Sequence, residues 1–227
     1  LSLVIPVFNE ENTVLEFHKI LTNVIDQLPY IFHIYYIDDG SSDQTVTQLV
    51  NIAEEDVRIN IVQLSRNFGH QSALTAGIDL AEGDLVIMLD GDGQHPPELI
   101  PQMIKHYHEG FDIVQTQRLD EQKMPLVKKW TSRFFYWLIN KLGETKITPG
   151  TADFRLVTHA VILALRQTKE YHRFIRGLIP WLGYKVYTLP YAPQKRISGK
   201  SKYTAAKMFS LAENAIFSFS LVPLRIG

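Results

Sequence analysis

The chain has 227 residues, 45% of them hydrophobic, with 23 Lys and Arg against 24 Asp and Glu and a formal net charge of −1. That length buries a sizeable core in one α/β domain or one domain with an appendage, and the balanced charge exerts no global pull toward nucleic acid, which is not expected as a partner. With no cysteine there are no disulfides and no thiolate metal site, which fits a cytosolic setting.

No signal peptide is visible, and because the first residue is Leu1 rather than Met, a trimmed chain is expected. Residues 1–7 read as a buried strand, followed by the polar loop Phe8-Asn9-Glu10-Glu11-Asn12. Thr13-x-x-Glu16 has the form of a capping box, and Val14, Phe17, Leu21, Val24, Ile25 and Leu28 keep helical spacing. Residues 32–37 make a second strand that ends in Asp38-Asp39-Gly40-Ser41-Ser42-Asp43. Val46, Leu49, Val50 and Ala53 mark a helix, residues 61–64 a third strand, and Ser65-Arg66-Asn67-Phe68-Gly69-His70 the polar run after it. The spacing then predicts a helix over 73–81.

Residues 85–89 are five apolar residues in a row, the pattern of a strand buried on both faces. They stop at Asp90-Gly91-Asp92-Gly93-Gln94. Two carboxylates one residue apart can point the same way and grip one hard cation, with Gln94 adding a neutral oxygen. Gly91 and Gly93 remove side chains and permit unusual backbone angles beside a bulky ligand. Two carboxylates with coordination positions to spare suit Mg²⁺ or Mn²⁺ shared with a diphosphate. Asp-Gly pairs also make ordinary turns; the buried strand ahead of them favours the metal–phosphate reading. Pro96-Pro97-Glu98 begins another helix, with Pro97 in its first turn, and residues 112–117 form a fifth strand.

Strands alternating with helices imply right-handed crossovers and a mostly parallel sheet, whose ligand sits beyond the carboxyl ends of the strands. Asn9/Glu10, Asp38/Asp39, Arg66/Asn67 and Asp90/Asp92 all fall at those ends. No G-x-G-x-x-G follows the first strand and no Walker lysine is present, so dinucleotide and P-loop readings are poor. A metal site of His95, His106 and His108 fails on pattern, because the last two do not share a helix face.

The second half differs. Residues 126–142 predict a helix carrying Trp130, Phe134, Phe135, Trp137 and Leu138 beside Lys128, Lys129, Arg133 and Lys141. It would serve equally as a helix lying in a membrane surface or as one packed on the sheet. Asp153 and Arg155, two apart beside Pro149-Gly150, read as a turn with a salt bridge of little worth. Helices near 160–165 and 174–182 and a strand at 185–189 follow. Arg196-Ile197-Ser198-Gly199-Lys200-Ser201-Lys202-Tyr203 is a basic loop, suited to anionic oxygens or simply solvated. A last helix begins near Thr204, and its uncharged tail, residues 214–224, is too short to span a bilayer; a membrane approach or a homo-oligomer contact would each bury it.

In this order and spacing, the segments Ile5-Pro6-Val7-Phe8-Asn9-Glu10, Ile37 through Asp43, Leu64 through Gly69, Asp90 through Gln94 with Pro97-Glu98, Thr151 through Leu156 and Arg196 through Tyr203 resemble the family-2 glycosyltransferases of the GT-A fold. The nearer resemblance is to the polyprenyl-phosphate hexosyltransferases, such as dolichol-phosphate mannose synthase and the bactoprenol glucosyltransferases. It covers essentially the whole chain and implies an α/β, Rossmann-like, mostly parallel central sheet flanked by helices, with amphipathic membrane-proximal helices at the C-terminus. The implied layout is a catalytic domain over 1–203, with a nucleotide-sugar half at 1–118 and an acceptor half at 119–203, then a juxtamembrane helix over 204–227.

By resemblance, Pro6, Phe8, Glu10, Asp38 and Asp39 line the nucleoside pocket, with Arg66 and Gly91 also on the nucleotide sugar. Asp90, Asp92 and Gln94 hold Mg²⁺ or Mn²⁺ on its diphosphate, and Arg196 and Lys202 close over the phosphates. Arg118, Arg133 and Ser201 receive the acceptor phosphate, and Asp153 with Arg155 is the catalytic pair. The processive polymerases of the wider family carry Gln-x-x-Arg-Trp; here Arg173-Phe174-Ile175-Arg176-Gly177 stands in its place, like the single-transfer enzymes. The implied reaction is inverting, metal-dependent transfer of a hexose from a nucleotide sugar, UDP-glucose by closeness to the bactoprenol type, to a polyprenyl phosphate such as undecaprenyl phosphate. It would run at the cytoplasmic membrane face, anchored by transmembrane helices outside this chain. A family-2 transferase with a glycan acceptor and an inactive nucleotide-sugar binding module are the alternatives.

Overall fold

The computed structural model describes residues 1–119, 150–168, 170 and 173–192. The elements in chain order are β1 (Ser2–Val7), α1 (Val14–Ile25), β2 (His33–Asp38), α2 (Thr45–Glu55), β3 (Ile59–Gln63), α3 (His70–Leu80), β4 (Leu85–Met88), a 3₁₀ turn (Pro97–Leu99), α4 (Ile100–His108), β5 (Ile113–Arg118), β6 (Thr151–Thr158), α5 (His159–Gln167), α6 (Ile175–Trp181) and β7 (Val186–Tyr191). Among the described residues the strands form one sheet in the order β3-β2-β1-β4-β6-β5-β7. The β1–β2, β1–β4, β2–β3 and β5–β7 pairs are parallel. Only β6 runs the other way, between β4 and β5.

The apolar run at 85–89 behaves as a strand buried on both faces should. Leu85, Ile87 and Leu89 enter one core with β1, α1, α2 and α4; Val86 and Met88 enter the other with α3, α5 and α6. Leu89 N–H still donates to Val4 O at 3.1 Å, so pairing continues one residue past the strand and releases the chain at Asp90. Val7 lies level with Asp38 in the register, so the loops after β1, β2 and β4 open at one edge.

Two expectations need correction. Thr13 precedes α1, but its side chain makes no cap hydrogen bond; its backbone N–H and that of Val14 go to Glu10 O, both at 2.9 Å, so the loop backbone closes the helix start. Residues 151–158 are not a turn but the central antiparallel strand β6. Ala152, Phe154 and Leu156 feed one core, while Asp153 and Arg155 point to the opposite face, where α3 and α6 cover them. The helix expected over 73–81 begins three residues earlier, at His70. The segments 126–142, 196–203 and 204–227 lie outside the described residues.

Candidate active site

The rim is built by polar side chains that tie one loop to the next. Asn9 sits in the left-handed region (φ 52°); its N–H donates to Ser41 Oγ at 2.8 Å and its Oδ1 accepts from Ser42 N–H at 2.8 Å. Glu10 N–H donates to Thr45 Oγ1 at 2.8 Å. Asp38 is fully buried and accepts from Ser41 N–H at 3.1–3.2 Å. Asp39 accepts from Phe68 N–H at 2.7 Å and Gly69 N–H at 2.9 Å. Burial pushes the Asp39 carboxyl up against the pull of those two amides. Asp38 thus pins the turn after β2 to itself, and Asp39 braces that loop against the one after β3. Gly40 (φ +71°) makes the crossing possible, since a Cβ there would lie 2.5 Å from the Arg66 carbonyl carbon. Pro6, Phe8 and Glu10 remain half-buried on the same edge, and exposed Arg66 lies 4.0 Å over the Phe68 ring.

Beyond β4 the chain turns sharply. A Cβ on Gly91 would lie 2.8 Å from Val7 Cγ1 and 3.3 Å from Ile5 Cγ2. Gly91 is therefore needed for close packing on β1, and the unusual angle falls to Gly93 (φ 78°). Asp92 Oδ1 accepts from Gln94 N–H at 2.9 Å. His95, stacked on Phe154 with ring centroids 5.4 Å apart, accepts from Asp90 N–H through Nδ1 at 2.9 Å; accepting there places its proton on Nε2. Arg118 Nη1 donates to Gln94 Oε1 at 3.4 Å, which joins an expected acceptor-side cation to the expected metal loop.

Asp153 is 2% exposed and heavily engaged. Arg176 grips it side-on, Nε to Oδ1 at 2.9 Å and Nη2 to Oδ2 at 2.7 Å. Arg155 Nη2 donates to Asp153 Oδ1 at 3.2 Å and to Ala152 O at 2.8 Å, and Gln71 Nε2 donates to Asp153 Oδ2 at 3.4 Å. Burial alone would push this carboxyl up, but the Arg176 and Arg155 guanidiniums outweigh it and hold Asp153 well below the usual carboxylate range. Burial likewise pulls Arg155 down to about 10, with Asp153 opposing. His70 joins the two carboxylate sites: its Nε2 lies 2.8 Å from Asp90 Oδ1 and 3.7 Å from Asp153 Oδ2.

Asp90, Asp153 and Arg155 are thus linked through His70, and Asp92, Gln94 and Arg118 form a second linked set in the loop after β4, with Pro6, Phe8, Glu10, Asp38, Asp39 and Arg66 on the adjoining rim. Arg133, Arg196, Ser201 and Lys202 lie outside the described residues. Sequence reasoning did not find His70, Gln71, His95 or Arg176. His70 carried the clearest signal, a polar side chain directly after a rim glycine. Gln71 has no local mark, its partner being 82 residues away. Arg176 lies inside the Arg173–Gly177 segment compared with Gln-x-x-Arg-Trp, but nothing local gives it a role there, its partner being 23 residues away.

The donor set suits a hard divalent ion. Asp90 and Asp92 carboxylates with the Gln94 carbonyl are all oxygen ligands. Asp90 Oδ1 is buried and, among the described residues, accepts no hydrogen bond, with His70 Nε2 2.8 Å away. No group of three or more His, Cys, Asp or Glu placed to hold a metal ion occurs among the described residues.

The glycosyl transferase family 2 model matches residues 2–164. An uncharacterized glycosyltransferase of Synechocystis sp. is 41% identical over 226 residues, covering all of this chain and 71% of the relative. A bactoprenol glucosyl transferase of Shigella phage SfV is 37% identical over 226 residues, covering all of this chain and 74% of that protein. Among solved structures, glucosyl-3-phosphoglycerate synthase from Mycobacterium tuberculosis, in complex with Mn²⁺, UDP and phosphoglyceric acid, aligns at a TM-score of 0.63 and 16% identity, covering 95% of this chain and 75% of that one. A mannosyltransferase from Pyrobaculum calidifontis, in complex with GDP-Man and Mn²⁺, aligns at 0.60 and 16%, covering 88% and 57%. The architecture is GT-A, and the chain belongs to glycosyl transferase family 2 and is a glycosyltransferase.

Proposed function

We propose that this enzyme transfers glucose from UDP-glucose to a polyprenyl phosphate at the cytoplasmic face of a membrane, with inversion and with the help of a divalent metal. The observation that carries this reading is the state of Asp153. A carboxylate clamped by Arg176 and Arg155 and held as an anion is a poor base. A sugar hydroxyl must lose its proton on attack, whereas a phosphate monoester, with a second pKa of ~6, arrives ionised. The site therefore favours a phosphate nucleophile over a glycan hydroxyl, in line with the 37% identity to a bactoprenol glucosyl transferase.

In this reading Pro6, Phe8 and Glu10 border the nucleoside, while Asp38 and Asp39 act by fixing the loops around it. Asp90, Asp92 and Gln94 would hold Mg²⁺ or Mn²⁺, which supplies positive charge for the departing diphosphate. Asp153 keeps Arg155 and Arg176 in place beside the reacting centre, and Arg118, half-buried on the Gln94 side, is assigned to the incoming phosphate with Arg133 and Ser201. Arg196 and Lys202 add charge over the donor. The acceptor phosphate oxygen attacks the anomeric carbon as the bond to the diphosphate breaks on the opposite face.

The test is a product assay with radiolabelled UDP-glucose, Mn²⁺ and either undecaprenyl phosphate in detergent or a panel of oligosaccharides. A chloroform-soluble, acid-labile glucosyl lipid is expected. Label found only on the oligosaccharides would replace this reading with the glycan one.

A further inference from the structure

We propose that His70 is a positioning residue that locks the donor-side Asp90 and the acceptor-side Asp153 into one register. His70 is the first residue of α3, and the helix start is pinned in turn, because Gly69 N–H is held by Asp39 at 2.9 Å. From that fixed base the ring reaches between the two carboxylates, 2.8 Å from Asp90 Oδ1 and 3.7 Å from Asp153 Oδ2. The shorter contact is an ion-pair distance, and Asp90 Oδ1 accepts no hydrogen bond among the described residues. The one ring nitrogen thus lies within ion-pair distance of both carboxylates.

The backbone of Asp90 is already held from behind by His95, so what remains for His70 to set is the direction of the Asp90 carboxylate. The neighbouring Gln71 extends the lock: its Nε2 donates to Asp153 at 3.4 Å and its Oε1 accepts from Ile175 N–H, at the start of α6, at 3.1 Å. Two consecutive residues of α3 therefore fix β6, α6 and the loop after β4 to one another. A displacement of Asp90 on loading the donor is passed through the imidazole to Asp153.

The inference rests on the reading of Asp90 as a metal ligand, and its test needs no acceptor. Free Mn²⁺ is titrated with protein in the presence of UDP and followed by electron paramagnetic resonance, for wild type, His70→Ala and His70→Gln, with thermal melts to establish folding. Loss of an outer-shell partner costs about 10–100-fold in metal affinity. His70→Ala is expected to weaken Mn²⁺ binding at least about tenfold, and His70→Gln, which keeps an N–H within reach, to recover most of it. Arg176→Lys, which loosens Asp153 while keeping the charge, is expected to shift Mn²⁺ affinity in the wild-type background and not in His70→Ala. Folded His70→Ala that binds Mn²⁺ like wild type, or an Arg176→Lys shift of equal size in both backgrounds, overturns the proposal. Wild-type protein that takes up no Mn²⁺ beside UDP brings down the functional reading and this inference with it.

Discussion

Two charged clusters sit at opposite ends of the sheet and are built on opposite plans. At the end away from the rim, half-exposed Arg58 has all its partners in place: Asp56 takes Nε and Nη2 at 2.8 and 2.7 Å, and Asp26 takes Nη1 at 2.6 Å. Beside them His18 Nδ1 lies 3.1 Å from Tyr36 Oη and Nε2 lies 3.7 Å from Asp56. At the rim, Asp153 and Arg155 are buried, and Gln71 and Arg176 close on Asp153 from two separate helices. Among the described residues, Asp90 Oδ1, His70 Nδ1 and Arg155 Nε there are buried with no hydrogen bond. The first cluster satisfies itself. The second keeps polar atoms unspent, as a site that expects a ligand does.

Removing one member of each cluster separates the two plans most sharply. Asp153→Ala strands Arg155 in the interior and is expected to cost about 3–5 kcal/mol in urea unfolding, as loss of one partner of a buried pair does. A loss under 1 kcal/mol would mean that the rim cluster is no more demanding than a surface one. Gly91→Ala forces a methyl against Val7 and Ile5; about 1–3 kcal/mol of overpacking should appear in the same measurement, with weaker Mn²⁺ uptake because the Asp90 loop is displaced. Arg58→Ala should cost about 1 kcal/mol or less and leave glucosyl transfer unchanged.

The smallest effect is one of pH. Burial lowers the His18 pKa against the opposing pull of Asp56. The unfolded chain then takes up the proton first, so stability present above the unfolded value of ~6.5 is lost as pH falls below it. His18→Gln should flatten that slope. Asp153 is depressed instead, so its contribution is complete above an unfolded value of ~3.9 and is lost only as pH falls through its lower folded value. It should add no slope between pH 5 and 8.

What could be read from the sequence follows from the range of the interactions. The 85–89 run, the rim polar clusters and the alternation of strands and helices are local patterns, and each appears where its periodicity puts it. The strand β6 was misread because alternation with Asp153 and Arg155 on one side looks like a half-exposed turn. Its polar face is buried only because Gln71 and Arg176 arrive from elsewhere. Thr13-x-x-Glu16 misled for the converse reason: the motif is present, but the Glu10 carbonyl had already taken the Thr13 N–H that the Glu16 side chain would accept. In sequence, Gly91 reads as giving up its side chain, and freeing its backbone angle, to make room for a ligand, whereas it is its neighbours on β1 that demand the missing side chain.

The reversed course of β6 has a consequence for how the enzyme can be divided. The strand that carries Asp153 enters the sheet between β4 and β5, both earlier in the chain. Cleaving the polypeptide after residue 119 would leave β5 with no neighbour linking it to β4, and the later fragment with no partners on either side of β6. Two such fragments would have to interleave to associate. Inheritance of the Asp153 strand is thereby bound to that of the strands on either side of it, so recombination at this point would exchange neither part of the sheet intact.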